Sequence, residues 1–367
     1  MNITKATSTY ETWLAQHLTL IPTDLKRKHQ AMAEDVFSFL RATFYRWMQM
    51  WPKICADEVR APMVLAVGDL HVENFGTWRD VEGRLVWGIN DFDEVYELPY
   101  TVDLVRLAAS AHIAIREARL KIAAKDACEA ILVGYKKSLE MGGLPFVLAD
   151  EHQWLHQMVT SVLRDPILFW KKLDSLPTLR GRVPKSARRA IDKLMPEPGL
   201  EYRIVHRVAG LGSLGRQRFV GIATCRGGRV AREAKALAPS ACVWALGGKV
   251  AERIRYQEAL DRSIRDIDPF VRLRGSWIGR RLAPDCSRIE LSSMPKERDE
   301  SRLLRAMGFE TANVHLGSRR AGKRILMDLA KRSSDWLHEA ATAMVKATTG
   351  DFEEWRASQR RKPSPKA

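Results

Sequence analysis

The hydrophobic pattern changes period along the 367-residue chain, and each change predicts a new kind of element. Over residues 8–55 the apolar positions Met32, Phe37, Phe39, Leu40, Phe44, Trp47 and Met48 recur at helical spacing with charged residues between them. That pattern predicts amphipathic helices. Ala61–Val67 is a short apolar run that stops at Gly68-Asp69, and Arg84–Ile89 is a second that stops at Asn90-Asp91. Both predict buried strands that open into loops. Helices are predicted over Asp103–Arg119 and residues 126–141. Residues 150–200 read as helices punctuated by Pro166, Pro177, Pro184, Pro196 and Pro198, a connection between two lobes. From residue 202 the period shortens. Arg203–Ala209, Arg218–Thr224 and Arg229–Leu237 predict a three-strand meander with turns at Gly210–Gly215 and Arg226-Gly-Gly. A helix at 249–264, strands at Trp277–Leu282 and Ile289–Leu291, and helices at 300–316 and 324–346 follow. The basic, proline-bearing end, residues 358–367, is expected to be disordered. No internal repeat is visible.

Two loops concentrate chemistry. Gly68-Asp-Leu-His-Val-Glu-Asn-Phe-Gly76 follows the first strand and Asn90-Asp-Phe-Asp-Glu94 follows the second. Carboxylates and a carboxamide are hard oxygen donors, suited to Mg²⁺ or Mn²⁺. Kinase-type phosphotransferases place an Asn five positions after the catalytic Asp and a metal-binding Asp after a later strand. Here Asn74 lies five residues after Asp69, and Asp91 lies 22 after it. On this reading Asp69 accepts the proton of an attacking hydroxyl, and Asn74 and Asp91 hold the metal, with Asp93 completing or supporting that site. His71 is a catalytic-site candidate, read as a brace for the catalytic loop ahead of a base. Asp103 is either the N-cap of the next helix or a support for the catalytic loop from below.

The third element is Gly210-Leu-Gly-Ser-Leu-Gly215. A strand rather than a helix follows it, which separates it from a dinucleotide fingerprint and matches a loop that covers ATP phosphates. Gly210, Gly212, Ser213 and Gly215 are therefore nucleotide-binding candidates. The third strand of the meander offers Arg232 and Lys235 as the phosphate cation. Side chains alternate along a strand, so these two face opposite ways and only one can serve. Sequence alone leaves that choice open. Glu252 and Glu258 of the helix expected at 249–264 are candidate partners for the cation.

Composition narrows the alternatives. Hydrophobic residues make up 46% of the chain, enough for a core, yet no apolar run approaches the ~20 residues of a membrane span. Met1-Asn2-Ile3-Thr4-Lys5 lacks the apolar core of a secretory signal. The five cysteines are scattered with no Cys-x-x-Cys pair, which argues against a zinc ribbon or a disulfide framework and fits a reducing cytoplasm. The net charge of +16 is uneven. Residues 1–150 carry 17 basic and 20 acidic residues, whereas residues 151–367 carry 43 and 24. A basic second part suits a polyphosphate pocket, and it keeps a nucleic-acid-binding protein as a competing reading, although no recognition motif accompanies it.

The stretches Phe39-Leu-Arg41, Gly68–Gly76, Asn90–Glu94, Asp103-Leu-Val-Arg-Leu-Ala-Ala-Ser110 and Gly210–Gly215 resemble the bacterial family DUF2252 over roughly residues 28 to 345. That family is similar to the protein-kinase and aminoglycoside-phosphotransferase superfamily. In ordinary kinases the glycine loop and lysine strand precede the catalytic loop; here they follow it, so the resemblance implies a circularly permuted order. It also implies that Leu303–Leu316 takes the place of the helix before the catalytic loop. Family members often show Lys-Glu-Ala where this chain has Arg232-Glu233-Ala234 with Lys235 beside it. The expected fold is α+β and kinase-like, with two lobes. Residues 1–200 form a helical lobe with the catalytic and metal loops, residues 201–295 a β-rich nucleotide lobe, and residues 296–357 helices that return to the first lobe. The expected activity is ATP- and Mg²⁺-dependent phosphoryl transfer to an unknown small-molecule or protein hydroxyl. AMP transfer and a nucleotide-binding pseudokinase are the alternatives on the same fold.

Overall fold

Four helices open the chain: α1 (Ile3–His17), α2 (Pro22–Ala31), α3 (Val36–Ala42) and α4 (Phe44–Ile54). Asn2 and Asp35 cap α1 and α3 by accepting from the Lys5 and Ser38 amides at 3.0 and 2.7 Å. The computed structural model describes residues 1–148, 152–160, 165–247, 252–286, 288–295 and 298–360. Strands β1 (Met63–Ala66), β2 (Phe75–Arg79), β3 (Leu85–Ile89) and β4 (Tyr96–Pro99) follow, with β1 pairing β4 and β2 pairing β3, both antiparallel. Helices α5 (Thr101–Arg116) and α6 (Ala124–Met141) come next, and the short β5 (Phe146–Val147) joins β3. α5 is apolar on nearly every face and is buried from Thr101 to Ala114, as such a helix must be. Its few polar residues therefore need partners inside the protein, a demand that shapes the site below.

Helices α7 (Gln153–Thr160), α8 (Pro166–Asp174) and α9 (Lys185–Asp192) lead to the second half. There β6 (Arg203–His206), β7 (Arg218–Cys225) and β8 (Gly228–Ala236) form the expected meander. α10 (Ala241–Leu246) and α11 (Tyr256–Arg262) precede β9 (Arg272–Arg274) and β10 (Trp277–Leu282). The five strands make one antiparallel sheet in the order β6-β7-β8-β10-β9. One face of this sheet packs Phe219, Ala234, Ala236 and Trp277 on Ala187, Ala190 and Ile191 of α9. The other packs Val220, Ile222, Ala231 and Leu282 on Phe169 and Leu173 of α8. Residues 166–192 were expected in the helical lobe and instead clothe the sheet, because their apolar positions match its two faces.

Helices α12 (Glu300–His315), α13 (Ala321–Leu329) and α14 (Trp336–Arg360) close the chain. α12 packs on α6 through two glycines. A Cβ on Gly134 would stand 1.8 Å from the Arg305 carbonyl oxygen, and one on Gly308 would stand 2.0 Å from that of Ile131.

Several expected elements differ. The single helix at 324–346 is two, broken at residues 330–335. The helix at 249–264 is only Tyr256–Arg262, and residues 248–251 lie outside the described residues. Ile289–Leu291 is not a strand. A lone bridge joins Arg288 to Gly76, the Ile289 amide bonds the Phe75 carbonyl, and a 3-10 turn begins at Leu291. The last helix runs to Arg360, three residues into the tail expected to be disordered, and the remaining 361–367 lie outside the described residues. Strands β2, β4, β5 and β9 were not anticipated; β2 and β4 sit beside the acidic loops, whose polar residues obscured their short apolar runs, and β5 and β9 are only two and three residues long.

Candidate active site

The first acidic loop leaves β1 at Gly68, whose φ of +82° belongs to the left-handed region and whose Cβ position would lie 2.5 Å from the Glu94 carbonyl oxygen. Glycine alone fits there. One face of α5 then holds the loop. Asp103 accepts from the Val67 and Gly68 amides at 2.7 and 2.8 Å, and Ser110 Oγ accepts from the Val72 amide at 3.0 Å. Between them Arg106 donates from Nε to Asp69 Oδ1 at 2.9 Å, adds a second bond from Nη2, and also donates to the Leu40 carbonyl. Residues 103, 106 and 110 are spaced to share a helix face. Asp103 is thus the support and not the N-cap, a position held by Tyr100. Behind it runs a buried chain: His315 Nε2 meets Asp103 at 2.8 Å, and Tyr135 meets His315 Nδ1 at 2.7 Å.

Burial pushes Asp69 above the ordinary carboxylate range, against the pull of Arg106 and Arg41. With Oδ1 taken by Arg106, Oδ2 faces the glycine loop, 3.4 Å from where a Cβ on Gly212 would sit. His71 is buried, and its Nδ1 accepts from the Glu73 amide at 3.2 Å. Burial first, then Arg41 and Arg288, hold its imidazole well below the usual pKa, which keeps it neutral.

Asn74 ties the two acidic loops together. Its carboxamide nitrogen donates to the Asp69 and Asp91 carbonyls at 3.2 and 3.1 Å, and its Oδ1 accepts from the Asp91 amide at 3.0 Å. Asp91 and Asp93 meet Lys235 of β8, which reaches across from the sheet. Lys235 Nζ lies 3.1 Å from Asp91 Oδ2 and 2.7 Å from Asp93 Oδ2, and the lysine side chain is only 1% exposed. Burial opposes ionisation of Asp91, yet Lys235 draws its carboxyl well below the usual range. Burial and the charge of Asp91 push Asp93 up to about 6. Asp91 is 39% exposed to the cavity and stays ionised, so with Asn74 Oδ1 and Asp93 it forms an oxygen-only donor set that fits Mg²⁺ or Mn²⁺.

The choice between Arg232 and Lys235 follows from register. Lys235 pairs across the sheet with Arg218 and Glu233 with Arg280, so these four share the face that looks toward the acidic loops. Arg232 points the other way, donates to the Leu194 and Ala231 carbonyls, and lies over the Phe270 ring. Neither side chain lines the cavity itself, but Lys235 bonds Asp91 and Asp93, which do. The partner of the cation is also different from that expected. Asp91 and Asp93 pair with Lys235, while Glu258 bonds Arg262 and Arg253 on its own side. Glu233, fully buried, instead gathers Arg207, Arg218 and Arg280.

The glycine loop folds over this ensemble. It contains a 3-10 turn at Leu211–Ser213, and Ser213 Oγ accepts from Arg218 at 2.9 Å while Lys28 Nζ holds the Gly212 carbonyl at 3.1 Å. Gly215 adopts φ +95° against Leu25 and anchors the end of the loop. Right after it, Arg216 crosses to Glu94 at 3.1 Å, and Glu94 also accepts from the Ala241 amide.

A cavity of about 540 Å³ lies between the acidic loops and the sheet. Asp69, His71, Asn74, Asp91, Asp93, Gly210, Gly212 and Ser213 line it together with eleven basic and seven acidic side chains in all. Sequence reading missed Arg106, Arg216, Arg218 and Arg280. A signal existed for two of them: Arg216 and Arg218 directly follow the glycine loop, where the chain runs on along the cavity.

Among the described residues no helix is long and apolar enough to cross a membrane. The five cysteines are all free thiols. No curated protein and no solved structure matches the chain. Residues 20–150, which carry both acidic loops and the face of α5 that holds them, match the family described as uncharacterised proteins conserved in bacteria, DUF2252.

Proposed function

We propose that this protein is a kinase-like phosphotransferase that uses Mg-ATP to phosphorylate a small-molecule or protein hydroxyl. The observation that carries the reading is the meeting of Lys235 with Asp91 and Asp93 beneath a glycine loop, beside the buried Asp69. These groups come from segments about 140 residues apart, and a phosphotransferase needs them together. Under this reading the helical body and the sheet are the two lobes of a kinase-like fold in circularly permuted order. The cavity's surplus of basic lining suits a polyphosphate.

The roles follow from the side chains. Asp69 Oδ2 takes the proton of the acceptor hydroxyl as that oxygen bonds the terminal phosphorus and the nucleoside diphosphate leaves. A carboxyl whose pKa is raised by burial is a better base for this step. Arg106 fixes the Asp69 rotamer through Oδ1. Asn74, Asp91 and Asp93 are the residues that would hold Mg²⁺, which supplies charge neutralisation and alignment of the phosphates. Arg216, Arg218 and Arg280 supply positive charge in the lining, Lys235 supplies it from behind Asp91 and Asp93, and Gly210, Gly212 and Ser213 cover the phosphates with backbone.

The test is ATP turnover by wild type, Asp69→Ala and Asp91→Ala, with products weighed by mass spectrometry. The reading expects phosphoryl products from wild type and a loss of ~10²–10⁴-fold in Asp69→Ala. AMP-bearing products, or binding of nucleotide with no turnover, would assign the site to nucleotidyl transfer or to a pseudokinase.

A further inference from the structure

Outside the cavity, three metal-ligating side chains converge on one point. His112 of α5, Cys128 of α6 and His338 of α14 place their donor atoms within 4.8 Å of one another. Among the described residues no other group of three or more His, Cys, Asp or Glu donors comes this close. His112 Nε2 and Cys128 Sγ stand 3.2 Å apart, and the His112 and His338 rings lie 5.1 Å apart between centroids. Two donors bound tetrahedrally to one zinc ion at about 2.0–2.3 Å lie about 3.3–3.8 Å from each other. The observed spacing is close to that of such a set.

Two further observations separate this cluster from ordinary core packing. His338 Nδ1 is buried and has no hydrogen-bond partner among the described residues, a cost that a buried polar atom rarely carries without cause. His112 in turn bonds the Ala124 backbone. A backbone carbonyl on the second ring nitrogen is the usual way a metal-binding histidine is fixed in orientation and tautomer.

We propose that His112, Cys128 and His338 form a transition-metal site of the zinc type, separate from the oxygen-donor site of the cavity. Two imidazoles and a thiolate are borderline-to-soft donors that select Zn²⁺ over Mg²⁺. Binding converts the Cys128 thiol to a thiolate and releases its proton to solvent. Three protein ligands leave a fourth position for water, and the half-buried His338 marks the side open to solvent. The ion would tie together α14, α5 and α6, which pack against one another, and α5 is the helix that carries Asp103 and Arg106.

The experiment uses the full chain stripped by a chelator and then titrated with Co²⁺, or with Zn²⁺ against a chromophoric competitor, in millimolar Mg²⁺. The expected result is one equivalent bound per chain, with a thiolate-to-cobalt charge-transfer band. That band should vanish in Cys128→Ser and persist in Cys225→Ser. His338→Gln, at a half-buried position, should weaken Zn²⁺ binding by at least ~100-fold with its circular dichroism unchanged. It carries the test if Cys128→Ser does not fold. Absence of the band in wild type, its survival in a folded Cys128→Ser, or unchanged Zn²⁺ affinity in His338→Gln overturns the proposal. None of these readouts depends on the activity proposed for the cavity.

Discussion

Lys235 is held by two carboxylates from the other half of the chain, and its removal would leave Asp91 without its ion pair and Asp93 with only Arg216 at 3.5 Å. Breaking a buried pair costs about 3–5 kcal/mol. The low end applies here, since Asp91 is open to the cavity and water can take up part of its charge. Lys235→Met should therefore lower the urea midpoint and weaken Mg-ATP binding together. Arg232→Met, on the other face of the strand, should leave nucleotide affinity unchanged. His71 supplies a pH signature. Its folded pKa lies well below 6.5, so the unfolded chain takes up a proton that the native state refuses. Stability from His71 is present above pH 6.5 and is lost as pH falls, at about 1.4 kcal/mol per pH unit. Asp93, pushed up to about 6, opposes this slope over the same range, so the signature is the difference: between pH 7 and 5 wild type should lose more stability, or gain less, than His71→Gln in urea titrations. At this scale the sequence was informative where spacing fixes geometry, as in Asp69, Asn74 and Asp91. It left Arg232 and Lys235 undecided because alternation separates two faces without saying which one meets the acidic loops. Cross-strand register with Arg218 and Arg280 supplied that answer.

At the scale of elements, α5 shows how a hydrophobic helix can serve a site. Asp103, Arg106 and Ser110 are its polar residues toward the catalytic loop, and each is used. The stretch Asp103–Ser110 stood out in the sequence by resemblance, and Asp103 was recognised as a possible support. Arg106 passed unnoticed because a lone arginine in a helix reads as a surface charge, whereas here it is fully buried against Asp69, Phe44 and Trp47. The contact of α6 with α12 makes a separate prediction. Ala in place of Gly308 gains about 1 kcal/mol of helix propensity. Yet its methyl would meet the Ile131 carbonyl, so Gly308→Ala should destabilise the protein on balance. Equilibrium unfolding checks the sign. The broken helix at 330–335 and the four overlooked strands show the limit of periodicity. Short segments beside polar loops carry too few apolar positions for a period to register.

On the scale of the whole molecule, the two halves differ in charge as they differ in structure. The first 150 residues supply the acidic loops, and much of the basic excess of the second part lines the opposite wall or pairs inward, as Arg207, Arg218 and Arg280 do on Glu233. That arrangement favours a compact polyanion between the walls over an extended nucleic acid on the surface. Nucleotide should accordingly stabilise the fold, by about 2.7 kcal/mol when its concentration is a hundred times Kd. A thermal-shift series with ATP, ADP and GTP, with and without Mg²⁺, reads that effect. The most direct test of the account is calorimetric titration of the full chain with Mg-ATP, for wild type and Asp91→Asn. One nucleotide should bind per wild-type chain, and the variant should bind at least ~10-fold more weakly and lose its dependence on Mg²⁺. Absence of binding to the folded wild type at millimolar Mg-ATP would contradict it.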